Sequence, residues 1–384
     1  MSSKKAMQAK TTFSLKDELF NAETVGRLSA WLAGAYPGFD ETGFQSDVLG
    51  AFGELELKQR ITHISETMAK YLPTDYRTAC EIVVAALPEA LDPRRSDDDF
   101  GEFIIAPLSS FVAIYGATEE HLEQSLAALT ETTKRFSAEF AIRTFIKTFP
   151  DRSLDFLATC AQDDNYHVRR LASEGTRPSL PWAGKIPIPY TDPLPILDAL
   201  YSDSTRFVTR SVANHLNDIA KLDPDLVIET LMRWRDSGKQ SEAEMAFIIE
   251  HACRTLVKQG DPDALELMGY GDKPRVKIVD LETSTPIVEV GTAFAFTFTL
   301  EPGADQKLMV DYAMSFAGAD GSPGGNKVFK LKRLDAVRGE SVQIKKRHPM
   351  KLMTTRRLYE GTHTITLQVN GHALDSLSFE LTQP

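Results

Sequence analysis

The sequence predicts a protein of two domains, a long array of paired α-helices followed by a small all-β sandwich. Three observations carry that prediction. From Phe13 to Gly271 apolar residues recur at spacings of three and four, the period of a helix face. Beyond Asp272 the spacing becomes two, the period of a strand with one buried face. The length, 384 residues, also exceeds what a single compact core serves.

In the first domain, residues 13–271, Pro and Gly punctuate apolar-periodic segments. They predict helices over residues 23–36, 57–71, 76–87, 119–134, 138–149, 153–161, 166–173, 193–201, 206–221, 223–234 and 243–259. Short loops between them imply antiparallel neighbours. YHVRRLASEG from Tyr166 lies over RFVTRSVANH from Arg206, with Val168 over Val208 and Arg170 over Arg210. The same shift sets Phe207, Val208, Val212 and Leu216 over Phe247, Ile248, Ala252 and Leu256. A period near forty residues in helix pairs is that of HEAT-like solenoids, in which each unit buries its apolar face against the next.

The second domain, residues 274–384, reads as seven short strands: VKIVDL, AFAFTFTLE, KLMVDYAMSF, KVFKLKRL, SVQIKKR, HTITLQV and SLSFEL. Their number and turn spacing suggest a Greek-key sandwich. Asn370-Gly371 marks a tight hairpin joining the last two strands. Residues 261–273 are the expected linker.

Composition narrows the function classes. Hydrophobic residues make up 42% and charged residues 25% of the chain, and no apolar run reaches the roughly eighteen residues of a membrane span. The N-terminal twenty residues lack the apolar core of a secretory signal, so a cytoplasmic protein with a frayed N-terminal arm is expected. Cys80, Cys160 and Cys253 are widely spaced in helical patterns and imply neither a disulfide framework nor a zinc site. The net charge of −11 argues against a nucleic-acid partner, but its distribution argues the other way. Residues 327–357 carry eleven Lys and Arg against only Asp335 and Glu340. Walker loops, dinucleotide fingerprints, HExxH motifs and nucleophile elbows are missing.

Candidate chemistry concentrates between Lys134 and Asp218. Arg135, Glu139 and Arg143 stand four residues apart, a spacing that places them on one helix face. Arg170 and Glu174 share the next face, Arg177 follows as the chain enters a Pro-rich loop presenting Trp182, and Arg210, Asn214 and Asp218 repeat the stripe. Taken singly these are surface ion pairs worth about 0.3–0.5 kcal/mol each. Repeated on stacked units, the stripes would gather Arg135, Arg143, Arg169, Arg170, Arg177 and Arg210 in one concavity with a few carboxylates, a place for a duplex backbone around a positive centre.

The segments TKRFSAEFAIRTFI, HVRRLASEGTRPSLPWAG and TRSVANHLNDIAK resemble the AlkC family of DNA alkylation repair glycosylases, relatives of the HEAT-repeat AlkD-like proteins. HPMKLMTTRRLYEGTHTITLQVNG resembles the immunoglobulin-like domain carried by many members, so the resemblance covers nearly the whole chain. It implies a monomeric, monofunctional glycosylase that removes cationic bases, 3-methyladenine and 3-methylcytosine, from double-stranded DNA without metal or cofactor. Glu139 and Glu174 would divide the tasks of stabilising the sugar cation and orienting water, with Asp218 third and Trp182 offering an aromatic face. Arg143, His167, Arg169, Arg170, Arg177 and Arg210 would contact phosphates together with Arg135. In the β-domain Lys345, Lys346, Arg347, His348, Arg356 and Arg357 would form a second DNA contact. The alternatives are a non-catalytic helical scaffold that binds protein and a lesion-recognition protein that does not excise.

Overall fold

Helices begin where a short polar side chain closes the first turn. Asn21, Asp40, Asp75, Asn165, Asp223, Ser241 and Asp261 each accept hydrogen bonds from backbone N–H groups of the turn they start. The computed structural model describes residues 14–95, 100–271, 273–319, 322–351 and 357–383. Among the described residues sixteen α-helices precede the strands. They are α1 Leu15–Leu19, α2 Ala22–Ala35, α3 Glu41–Gly50, α4 Leu57–Tyr71, α5 Tyr76–Ala85, α6 Ala106–Gly116, α7 Leu122–Thr133 and α8 Ile142–Thr148. They continue as α9 Pro150–Cys160, α10 Tyr166–Gly175, α11 Leu194–Leu200, α12 Arg206–Ile219, α13 Pro224–Ser237, α14 Glu242–Ala252, α15 Arg254–Gln259 and α16 Pro262–Leu267. None is long and apolar enough to cross a membrane. Packing is local: α8 contacts α9, α9 contacts α10 and α10 contacts α11, the neighbour-on-neighbour pattern of a repeat array.

Three differences from the sequence reading have physical causes. The helix expected over 138–149 begins only at Ile142, because Phe136 pairs with Gly101 in an isolated β-bridge and the chain turns through Glu139 before α8 starts. Helix α6 escaped notice because APLSSFVAIYG is buried almost all round and shows no polar face. The expected linker over 261–273 holds α16, whose Ala264 and Leu265 are buried.

Eight strands follow: β1 Val276–Thr283, β2 Ile287–Glu289, β3 Ala293–Pro302, β4 Gln306–Ala317, β5 Pro323–Ala336, β6 Val342–Pro349, β7 Gly361–Val369 and β8 His372–Thr382. They form one sheet of order β1-β3-β6 and another of order β2-β8-β7-β4-β5. Alternate residues fill the space between: Phe294, Phe296, Phe298 and Leu300 from β3, Leu308, Val310, Tyr312 and Met314 from β4, and Ile365, Leu367 and Val369 from β7. Only the three-residue β2, parallel to β8, was missed, being too short to show alternation. Asn370 and Gly371 take the left-handed φ values, 46° and 77°, of the expected hairpin turn.

By packing, the chain divides between Asp218 and Ile219. The change of period near Asp272 therefore marks a change of secondary structure inside the second unit. There α14 is tied to β5 by Glu250 and Arg333, 2.8 Å apart, and the Asn370 amide donates to the Gly271 carbonyl at 3.2 Å. Gly260 abuts Gly371 so closely that a Cβ on Gly371 would lie 2.5 Å from the Gly260 Cα.

Candidate active site

Helix α10 buries Val168, Leu171 and Ala172 and carries Arg170 and Glu174 one turn apart, with Arg177 just beyond its end. Gly175 lets α8 approach, since a Cβ there would lie 2.6 Å from Ile142 Cγ2. That approach brings Arg143 of α8 to the end of α10, where its guanidinium donates to the carbonyls of Gly175 (3.0 Å), Arg177 (2.9 Å) and Gly184 (2.7 Å). From α12, Ser211, His215 and Asp218 follow at spacings of four and three, which set them on one helix face.

These elements assemble a row of alternating charge. The Glu139 carboxylate accepts at Oε2 from the Ser137 hydroxyl (2.9 Å) and from Arg170 (3.1 Å). Arg170 also lies 3.7 Å from Glu174 Oε2 and packs over the Phe207 ring at 4.4 Å. Glu174 accepts from Arg177 at Oε1 (2.6 Å) and from the Ser211 hydroxyl at Oε2 (2.6 Å), while Arg177 Nε donates to Asp218 at 2.9 Å. Side-chain exposure falls along the row, 17% for Glu139, 6% for Glu174 and 2% for Asp218, so Glu139 is its open end. Three carboxylates thus alternate with two guanidinium groups, and the charge of Arg143 acts on all three carboxylates.

Burial on its own would raise the Glu174 carboxyl. The charges of Arg170 and Arg177 and the Ser211 hydrogen bond more than offset it and hold the group below the usual carboxylate range. Glu174 is therefore ionised at neutral pH and cannot serve as a proton donor. Behind it His215 is fully buried, its Nδ1 meets the Ser173 carbonyl at 3.1 Å, and burial pushes its pKa down to about 4. The imidazole is neutral near pH 7, with Nδ1–H donating to the carbonyl. Breaking a buried ionic row by removing one member costs about 3–5 kcal/mol, because the remaining charges stay buried.

The structure thus brings together five of the expected residues: Glu139, Arg170, Glu174, Arg177 and Asp218. Arg135 donates to the Pro88 carbonyl and to Glu131. Arg143 is spent on backbone carbonyls, and Arg169 forms a two-pronged pair with Asp203 (2.5 and 3.1 Å). Arg210 is half-buried on α12, and His167 is buried between Tyr166 and Phe207. Arg135, Arg143, Arg169, Arg170 and Arg177 each fix the protein's own carboxylates or carbonyls. Trp182 is 61% exposed, with a left-handed φ of 63° and a carbonyl that accepts from Lys58 Nζ.

In the β-domain Lys345 and Arg347 point outward from β6, as the alternation predicts. Lys346 pairs in register with buried Phe296 and is half-buried. His348 turns inward, where its Nδ1 lies 2.6 Å from the Tyr312 hydroxyl, so it serves the core and not a surface contact. Arg357 is exposed beside the Tyr359 ring, and Arg356 lies outside the described residues. Sequence reasoning missed Ser137, Ser211 and His215. The signal was present for the last two, since with Asp218 they occupy one face of α12.

Comparison with known proteins agrees with this architecture. Residues 277–383 match the family described as the C-terminal Ig-like domain of the uncharacterised protein YhaZ. The uncharacterized protein YhaZ of Bacillus subtilis (strain 168) is 33% identical over 368 residues, 95% of this chain and 98% of its own length. The solved structure of Pseudomonas fluorescens alkylpurine DNA glycosylase AlkC, bound to DNA containing an abasic site analog, is 37% identical. It superposes with a TM-score of 0.86 over 96% of this chain and 99% of its own. With such identity across nearly the whole length of each partner, and with the same helical region leading into an Ig-like domain, the chain belongs to the family of AlkC and YhaZ.

Proposed function

We propose that the protein is a monofunctional DNA glycosylase that hydrolyses the N-glycosidic bond of cationic alkylated bases, 3-methyladenine and 3-methylcytosine, in double-stranded DNA. The observation that carries this is a row of carboxylates in which Glu174 is held ionised and buried, with Glu139 open to solvent at its end. A base methylated at N3 already bears positive charge and departs as a neutral molecule, so its removal needs no general acid. What it needs is negative charge near the deoxyribose, which gains oxocarbenium character as the bond breaks. One carboxylate about 4 Å away at an effective dielectric near 20 contributes up to ~4 kcal/mol, close to a thousandfold in rate.

Glu139 is the group that meets the substrate side. Ser137 and Arg170 both hold its Oε2, and its Oε1 carries no hydrogen bond among the described residues, which suits it to orient the attacking water. Glu174, with Asp218 behind it, supplies the fixed negative field for the sugar cation. The arginines hold these carboxylates in place.

Incubation with methylated duplex DNA tests the reading by its products. The expected result is free 3-methyladenine and alkali-sensitive abasic sites with both strands intact. A protein that binds the duplex with steep salt dependence but releases nothing would be a lesion-recognition protein. One that binds no DNA would be a scaffold.

A further inference from the structure

Next to the carboxylate row, within the first unit, lies a cavity of about 340 Å³ whose walls include Lys58, Ile114, Phe140, Arg143, Lys147 and Trp182. Its composition runs against the rest of the chain. The whole sequence has 54 Asp and Glu against 43 Lys and Arg, yet the cavity wall holds three cations and no carboxylate. Arg143 is 3% exposed, bonds only to backbone carbonyls, and leaves its Nε buried without a partner. Burial and the neighbouring Arg177 lower its pKa, against the opposing pull of the Glu139, Asp218 and Glu174 charges nearby.

The wall is also apolar where it is open. Ile114 is 44%, Phe140 37% and Trp182 61% exposed, which is unusual for side chains of that size clustered together. Trp182 stands in a left-handed conformation that costs a non-glycine residue about 1–2 kcal/mol. The chain is held there from two sides, by Lys58 on the Trp182 carbonyl and Arg143 on the Gly184 carbonyl. Strain maintained at an exposed aromatic beside a cationic wall free of carboxylates indicates a site built for a ligand.

That ligand must combine an anion with a flat or apolar body. A cationic base is repelled by three cations, whereas the carboxylate row attracts it. Ser137 joins the two places, lining the cavity while its hydroxyl contacts Glu139 and Arg170. We propose that the cavity is a nucleotide subsite for the DNA strand beside the lesion, with a phosphate between Lys58 and Lys147 and the attached sugar and base against Trp182 and Phe140. This rests on the DNA reading above and adds to it a division of labour by sign: the cationic lesion to the carboxylate row, the adjoining backbone to the cationic cavity.

The test uses the full-length protein and a duplex containing an abasic site analog, with binding followed by fluorescence anisotropy across a salt series. Lys58→Gln/Lys147→Gln should weaken binding at least tenfold at about 100 mM salt and reduce the slope of log affinity against log salt by about 2. Ile114→Trp, which fills the cavity without altering charge, should weaken binding at least fivefold. Quenching of tryptophan emission by the duplex should disappear in Trp182→Leu. A wild-type slope in the lysine variant, together with unimpaired binding by Ile114→Trp, overturns the subsite while wild-type excision continues. If the wild type neither binds the duplex nor releases base, the glycosylase reading itself falls and takes the subsite with it.

Discussion

Removal of one hydroxyl tests how the Glu174 carboxylate is maintained. Ser211 is 2% exposed and donates to Glu174 Oε2 at 2.6 Å, while Ser173 Oγ lies 2.9 Å from the Ser211 oxygen. A hydroxyl has a single proton, and the shorter contact to a charged oxygen claims it, so Ser173 must donate to Ser211. A hydrogen bond to a charged group is worth about 1.5–3 kcal/mol. The bond favours the ionised form, so Ser211→Ala should raise the Glu174 carboxyl from its lowered position. Single-turnover excision of 3-methyladenine measured from acid to neutral pH should show the acid limb displaced to higher pH, with affinity for the duplex unchanged. A rate that falls equally at every pH, with the acid limb in place, would refute the claim that Ser211 acts through the ionisation of Glu174.

Three further outcomes follow from the same geometry. In the folded protein His215 titrates at about 4, against 6.5 when free, so between those values the unfolded chain binds the extra proton and stability falls as pH drops. The loss amounts to about 3 kcal/mol and is absent above pH 6.5, and unfolding titrations of His215→Gln should show a flatter profile across that window. Glu174, lowered from the carboxylate range, contributes its own acid loss only at still lower pH. Arg177→Met leaves Glu174 and Asp218 buried together without their shared cation and should cost about 3–5 kcal/mol by urea denaturation. Gly371→Ala forces a Cβ to within 2.5 Å of the Gly260 Cα at a φ of 77°, and the same assay should register a loss of about 2–5 kcal/mol.

The fold was legible wherever one period ruled. Helix α4 runs over 57–71 as the apolar spacing predicts, and the β3 repeat of Phe294, Phe296 and Phe298 announced the sandwich face. It was illegible where burial erased periodicity, as in α6, or where tertiary pairing overrode it, as at Phe136 and Gly101 before α8. The candidate carboxylates Glu139, Glu174 and Asp218 were singled out because their segments carry a recognisable pattern. The partners of the arginines were not legible for a physical reason. Sequence shows charge but not its partner, and a guanidinium four residues from a carboxylate reads alike whether it faces phosphate or locks that carboxylate, as Arg170 and Arg177 do here. Ser211 shares the Asp218 face of α12, but its role rests on its contact with Glu174, which the spacing does not show.

In the proposed mechanism a fixed row of carboxylates performs the excision. Its most direct test is the single-turnover release of 3-methyladenine from methylated duplex DNA by the wild type, Glu139→Gln and Glu174→Gln, with folding and duplex affinity measured in parallel. The account predicts that each variant binds the duplex as tightly as the wild type and releases base about ten- to a thousandfold more slowly. Release at the wild-type rate by both variants, or no release by the wild type, would contradict it.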